Sequence, residues 1–159
     1  MSSTKQSHQE WFAEKVPADW IDAPPEVTVD ADEIVVVLPV PADTEIRAFR
    51  AATKADRMEI ATDGQHLFGR TVSWGVKRAD TVSLFTHLAI PAMTRLRQPE
   101  RRVLDTLVAG GVARSRSEAL SWCVKRVGAS ETIWLEELRE ALQAVDQVRR
   151  EGPAAAGPA

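Results

Sequence analysis

The stretch Ile34-Val-Val-Val-Leu-Pro-Val most narrows what this chain can fold into. It is β-branched and apolar, it follows acidic turn residues Asp30 to Glu33, and Pro39 and Pro41 close it. That combination predicts a strand, and the absence of polar alternation predicts burial on both faces. Its uninterrupted part, Ile34 to Leu38, is the longest apolar run in the chain, far short of the ~18 residues a membrane helix needs.

The segments that follow change period twice. After Pro41, Asp43 or Thr44 is placed to cap a helix in which Ile46, Phe49, Thr53, Ile60, Leu67 and Phe68 recur near helical spacing until Gly69. Gly64 is its weak point, since glycine costs about 1 kcal/mol in a helix interior. From Thr71 the pattern alternates: Val72, Trp74 and Val76, then, beyond Arg78-Ala79-Asp80, Val82, Leu84, Thr86, Leu88 and Ile90. These two sets predict a hairpin whose inner face packs on the helix, with Pro91 ending the last strand or bending it at an edge. Residues 33–90 are therefore expected to form a small strand-helix-hairpin unit. Ahead of it, residues 1–32 read as an extended arm carrying Trp11-Phe12, Trp20-Ile21 and Pro24-Pro25, with a helical turn or two from His8 to Lys15. Its aromatics either cover the protein's own core or dock a protein partner.

Charge divides the chain unevenly. Between Thr94 and Arg126 eight Lys or Arg stand against three acids, a balance of +5 in a chain whose total is −3, so the remainder carries −8. The same stretch is strongly punctuated. Pro99 suits a first helical turn, Val103, Leu104, Leu107 and Val108 form one apolar stripe, and Gly110-Gly111 end it. Ser115 with Glu118 is a capping box, the serine oxygen accepting the Glu118 N–H and the glutamate reaching back to the Ser115 N–H. A second helix then starts at about Arg116, buries Ala119, Leu120, Cys123, Val124 and Val127, and stops at Gly128. A third, capped by Ser130, carries Ile133, Trp134, Leu135, Leu138, Ala141, Leu142, Val145 and Val148 to near Arg150; core packing or a dimer seam accounts for that stripe. The tail, residues 152–159, has the composition of a disordered segment.

Thr94-Arg-Leu-Arg-Gln-Pro-Glu together with Gly111-Val-Ala-Arg-Ser-Arg-Ser-Glu-Ala-Leu resembles the ribbon-helix-helix family of DNA-binding proteins, the methionine and Arc repressor type. The resemblance covers residues 94–126, within an expected unit of 91–128 followed by a C-terminal helix at 129–151. It implies an obligate homodimer in which the ribbon pairs with its twin and lies in the major groove of double-stranded DNA. On an alternating ribbon Met93, Arg95 and Arg97 share the outward, base-reading side, and Thr94, Leu96 and Gln98 the inner one. Arginine offers paired donors to guanine, worth ~1–3 kcal/mol of discrimination. Arg114, Ser115, Arg116 and Ser117, at the start of the second helix, are the expected phosphate contacts.

The expected fold class is α+β, and the expected function is a dimeric DNA-binding transcriptional regulator. The competing reading is a protein-interaction or adaptor protein that uses the same helices for dimerisation. Catalysis finds little in the sequence. His8, His66 and His87 fall in three different elements without metal-ligand spacing, Cys123 lies on the inner side of a helical pattern, and no glycine-rich phosphate loop is present. No enzyme activity, metal or cofactor is expected. One cysteine and the lack of a charged-then-apolar leader lead to an expected cytoplasmic location, with no membrane partner.

Overall fold

The computed structural model describes residues 7–153, so most of the tail expected to be disordered lies outside the described residues. The chain is α+β and divides into two units between Ala92 and Met93.

In the first unit, Ser7 caps helix α1 (His8–Lys15) reciprocally: its Oγ accepts the Glu10 N–H at 3.2 Å and its own N–H donates to the Glu10 carboxylate at 2.9 Å. The helix buries Trp11 and Phe12, the latter completely. A 3-10 turn (Ala18–Trp20) leads to strand β1 (Glu26–Val29), which pairs antiparallel with β2 (Glu33–Pro39). Gln9 of α1 ties down the edge of β1, donating to the Pro25 carbonyl at 2.6 Å and accepting the Val27 N–H at 3.3 Å. Residues 7–32 are thus no extended arm. Their aromatic anchors belong to this unit's own core, and β1 is a strand the sequence reading did not anticipate.

Strand β2 runs parallel to β3 (Thr71–Arg78), and the crossover between them is α2 (Ile46–Ala52) followed by α3 (Lys54–Phe68). Strand β4 (Thr81–Leu84) returns antiparallel to β3, giving the order β1-β2-β3-β4. Ile34, Val36 and Leu38 bury together with Val72, Trp74 and Val76 beneath Trp11, Phe12 and Ile60. Val35 and Val37, on the alternate face, are only half-buried, so the expected two-sided burial of β2 does not hold.

The crossover is two helices and not one. Its break is at Thr53 (φ −92°, ψ 0°), where the hydroxyl donates to the Phe49 carbonyl at 2.8 Å and accepts from Arg57 Nε at 2.9 Å. The cap is Glu45, not Asp43 or Thr44: its carboxylate accepts the N–H groups of Arg47 and Ala48 at 3.2 and 2.7 Å. Gly64 does not break α3. It lets the helix approach the core, since a Cβ there would stand 3.2 Å from Phe12 Cζ and 3.3 Å from Trp11 and Val72 atoms. Arg57 is buried and makes no ion pair among the described residues, its guanidinium 4.7 Å from the Phe85 ring centre and donating to the Arg50 carbonyl at 2.8 Å. Burial first, and then neighbouring Arg50, lower its pKa.

The hairpin forms, but with the opposite parity in its second strand. The register sets Val76 against Ser83 and Gly75 against Leu84, and directly paired residues share a face. Val82 and Leu84 therefore point away from the core and are exposed, while Phe85 turns inward and bonds through its N–H to the Trp74 carbonyl at 2.7 Å. Strand β4 stops at Leu84, and Leu88 and Ile90 are exposed in a stretch without regular structure.

The second unit contains α4 (Gln98–Ala109), α5 (Arg116–Ser130) and α6 (Thr132–Glu151). Leu104, Ala113 and Ala119 are its buried centre, joined by half-buried Leu96, Leu107, Val108, Leu120 and Cys123. Gly111 takes φ +75° in the turn between α4 and α5, a conformation glycine adopts without Cβ strain. Helix α5 runs past Gly128 to Ser130. Glu131, not Ser130, stands at the joint with α6. Its N–H bonds to the Val127 carbonyl at 2.9 Å and its carbonyl accepts the Leu135 N–H at 3.0 Å, so helical bonding continues across the bend.

Candidate nucleic-acid interface

Residues 93–97 have no regular structure and no strand pairing within the described chain, and they lead directly into α4, with Arg97 extended (φ −81°, ψ 172°). The expected alternation is not seen at Thr94, which is exposed as Met93 and Arg95 are. Leu96 turns inward and packs, half-buried, on the cluster of Leu104, Ala113 and Ala119, and Met93, Arg95 and Arg97 are exposed, Met93 by 96%. Gln98 belongs to the first turn of α4 and not to the ribbon, with Pro99 beside it, where a missing N–H costs nothing. Arg101 Nη1 donates to the Leu96 carbonyl at 2.6 Å and fixes the entry to the helix. Among the described residues, the peptide groups of Met93, Thr94 and Arg95 have no hydrogen-bond partner.

At the start of α5 the serine half of the expected box is present, Ser115 Oγ accepting the Glu118 N–H at 3.2 Å. The glutamate half is shifted by one residue: Glu118 accepts the Arg114 N–H at 2.6 Å, not that of Ser115. Its side chain also meets the Arg114 guanidinium at 3.4 Å. The Arg114 backbone bond, and then the Arg114 side chain, hold the Glu118 carboxyl below the usual carboxylate range. Arg116 makes two parallel bonds to Asp105 of α4, at 2.7 and 2.8 Å. This hydrogen bonding lowers the Asp105 pKa and raises that of Arg116. Of the four expected phosphate contacts, Arg114 and Arg116 are therefore each engaged with a carboxylate, and Ser115 and Ser117 remain exposed on the first turn.

Other cations take a more open position. Arg95, Arg97, Arg101, Arg102, Lys125 and Arg126 make no ion pair among the described residues, and four of them fall within residues 95–102. The uneven charge of the sequence already pointed to this run. Only the structure separated the free arginines from those held by Asp105 and Glu118. No group of His, Cys, Asp or Glu able to hold a metal ion occurs among the described residues.

The class defined so far is an α+β chain in which a mixed-sheet unit precedes a helical unit whose first two helices and their entry are basic. The chain belongs to the Rv1265-like family. The Rv1265-like protein N-terminal domain matches residues 6–84, and the Mb1296 C-terminal domain matches residues 97–149. The unmatched residues between them coincide with the connection between the two units. Uncharacterized protein Rv1265 of Mycobacterium tuberculosis H37Rv and uncharacterized protein Mb1296 of Mycobacterium bovis are each 49% identical over 156 residues, covering 91% of this chain and 69% of the relative. No solved structure matches the chain. Among the described residues no helix is long and apolar enough to cross a membrane.

Proposed function

We propose that the chain is a dimeric DNA-binding protein acting as a cytoplasmic transcriptional regulator, with the stretch Met93 to Arg97 paired against its twin in the major groove. One observation carries this reading. Among the described residues Arg95 and Arg97 are exposed and make no ion pair, the peptide groups of Met93, Thr94 and Arg95 have no hydrogen-bond partner, and Leu96 packs on the helical core. Such a stretch is held at Leu96 and leaves backbone groups and two arginines open to a partner. Met93 is exposed beside them, while Arg101 and Arg102 add charge toward the phosphates. At the α5 terminus, Arg114, Ser115 and Ser117 are the better placed phosphate contacts, because Arg116 must first leave its two bonds to Asp105, whereas Arg114 meets Glu118 only at 3.4 Å with its side chain almost fully exposed.

Retardation of genomic DNA fragments tests the reading. Binding should weaken steeply as salt is raised, and an Arg95→Ala plus Arg97→Ala chain should bind on the order of tenfold or more weakly, with a shallower salt dependence. A double variant that binds as the parent does rejects the ribbon. The adaptor reading draws on a different feature, the exposed apolar face of α6, and predicts a protein partner whose capture is insensitive to the Arg95 and Arg97 changes.

A further inference from the structure

Arg57 is a costly residue to bury. It is only 6% exposed, and a guanidinium stays charged at any ordinary pH, so its burial opposes solvation unless an anion or strong acceptors answer it. Thr53 Oγ1 accepts from its Nε at 2.9 Å and the Arg50 carbonyl from its Nη2 at 2.8 Å. Neither bond uses Nη1, and neither acceptor is charged. A second cation stands beside it. Arg50 Nη2 donates to the Phe85 carbonyl at 3.1 Å, and its guanidinium lies 5.3 Å from the centre of the same Phe85 ring on which Arg57 rests. The two are close enough that Arg50 adds to burial in lowering the Arg57 pKa. Neither arginine makes an ion pair among the described residues.

The surroundings supply donors and few acceptors. Trp74, whose carbonyl accepts the Phe85 N–H at 2.7 Å, keeps its indole Nε1 buried without a partner. Arg47 and Lys54, one turn before and one turn after Arg50, make no ion pair among the described residues either. The acids nearest in sequence are occupied or turned away. The Glu45 carboxylate accepts the N–H groups of Arg47 and Ala48, and helical rotation sets Asp56 and Glu59 about 100° and 160° round α3 from Arg57. An uncharged side chain would pack on Phe85 at a smaller desolvation cost. What two neighbouring guanidiniums add is a double positive charge and several N–H donors, which suit a doubly charged oxyanion with several acceptor oxygens. We propose that Arg50 and Arg57 together bind a phosphate-type dianion on the sheet unit. Arg57, clamped by Thr53 and the Arg50 carbonyl, is the fixed donor through Nη1; exposed Arg50, held by one bond, swings from the Phe85 carbonyl to close on the anion. Arg47 and Lys54 draw the anion in without touching it. Its source is free phosphate or the phosphate group of a small monoester. Nothing in this site draws on Arg95, Arg97 or the DNA reading.

Nuclear magnetic resonance of the nitrogen-15-labelled full chain, titrated with inorganic phosphate at constant ionic strength, tests it. The amides of Arg50, Arg57, Phe85 and Thr86 should shift together and saturate, Thr86 because its peptide carries the Phe85 carbonyl that Arg50 releases. Shifts that never saturate, or that spread evenly over exposed Lys and Arg, overturn the proposal. Arg57→Gln removes a clamp of the α2–α3 bend and risks unfolding, so the deciding variant is Arg50→Gln at an exposed position. It should weaken phosphate on the order of tenfold, with Arg50→Lys falling between it and the parent; Arg50→Gln binding as the parent does overturns the proposal. A parallel titration with glycerol 3-phosphate separates the sources. Tighter binding than inorganic phosphate assigns a monoester, and equal or weaker binding assigns free phosphate. The Arg95→Ala plus Arg97→Ala chain should keep the full phosphate response, so loss of DNA retardation in that chain concerns the ribbon alone and loss of phosphate binding in Arg50→Gln concerns this site alone.

Discussion

Twelve hydrophobic side chains make the buried cluster of the sheet unit, and three make that of the helical unit. The first unit draws Trp11 and Phe12 from α1, Ile60 from α3 and alternate residues of β2 and β3 into one layer, so each element covers another. The second contains amphipathic α4 and α6, yet Val103, Trp122, Val124, Val127, Leu138 and Val145 stay exposed. A three-residue core offsets little of the conformational entropy lost on ordering three helices. The sheet unit closes on itself, and the helical unit leaves a good part of its apolar surface exposed. Polar chemistry divides in the same way. The first unit's buried cation, Arg57, is held internally by Thr53, the Arg50 carbonyl and the Phe85 ring, while the second leaves a run of arginines open.

The largest expected effect breaks the comparison on the sheet side. Phe12 is fully buried and packs edge-on against Trp11 and Trp74, so Phe12→Ala should cost about 3–5 kcal/mol. Denaturant unfolding followed by near-ultraviolet circular dichroism should show this in the sheet unit's transition. An equal loss of α5 and α6 helicity in the same titration would mean that the units do not unfold separately.

A smaller effect sharpens the helical side. Ser115→Ala removes the acceptor for the Glu118 N–H and should cost ~1 kcal/mol. The loss should appear in the helical transition, read by far-ultraviolet signal against denaturant, and leave the tryptophan-rich core unchanged. No shift there would show that the Glu118 to Arg114 contact caps α5 by itself.

The smallest effect is electrostatic. The folded pKa values of Asp105 and Glu118 lie below their usual range because of Arg116 and Arg114 respectively. A lowered carboxylate binds fewer protons folded than unfolded, so its stabilisation is present above about pH 4–5 and is lost as pH falls through the folded values. Both sites are solvent-exposed, and the loss should be modest and reduced by salt. Thermal melts between neutral and acid pH should show a shallower decline for Asp105→Asn than for the parent; equal slopes would remove Asp105 from the account.

What could be read from the sequence was local. The Ser115 cap, the proline at the start of α4, the glycine turn before α5 and the heptad-like stripe of α6 each depend on residues within a turn or two of one another, where spacing dictates geometry. The strand at Ile34 and the alternation from Val72 to Val76 were legible for the same reason. Tertiary contacts decided the rest. Glu26-Val-Thr-Val is a strand because β2 lies beside it and Gln9 holds its edge, and neither fact is written in those four residues. Gly64 looked like a helix break, but packing against Phe12, Trp11 and Val72 makes it a point of close approach, and the break passed to Thr53. The tight turn at Ala79 (φ +50°) and Asp80 set the pairing register, which turned Phe85 inward and Val82 and Leu84 outward. Arg116 is bound to Asp105 across eleven positions of sequence while Arg95 and Arg97 remain open. The sequence by itself determined that this chain carries a basic, capped helical hairpin. Which of its arginines are free to meet a ligand was decided only by folding, because an ion pair depends on distance in space and not on position in the chain.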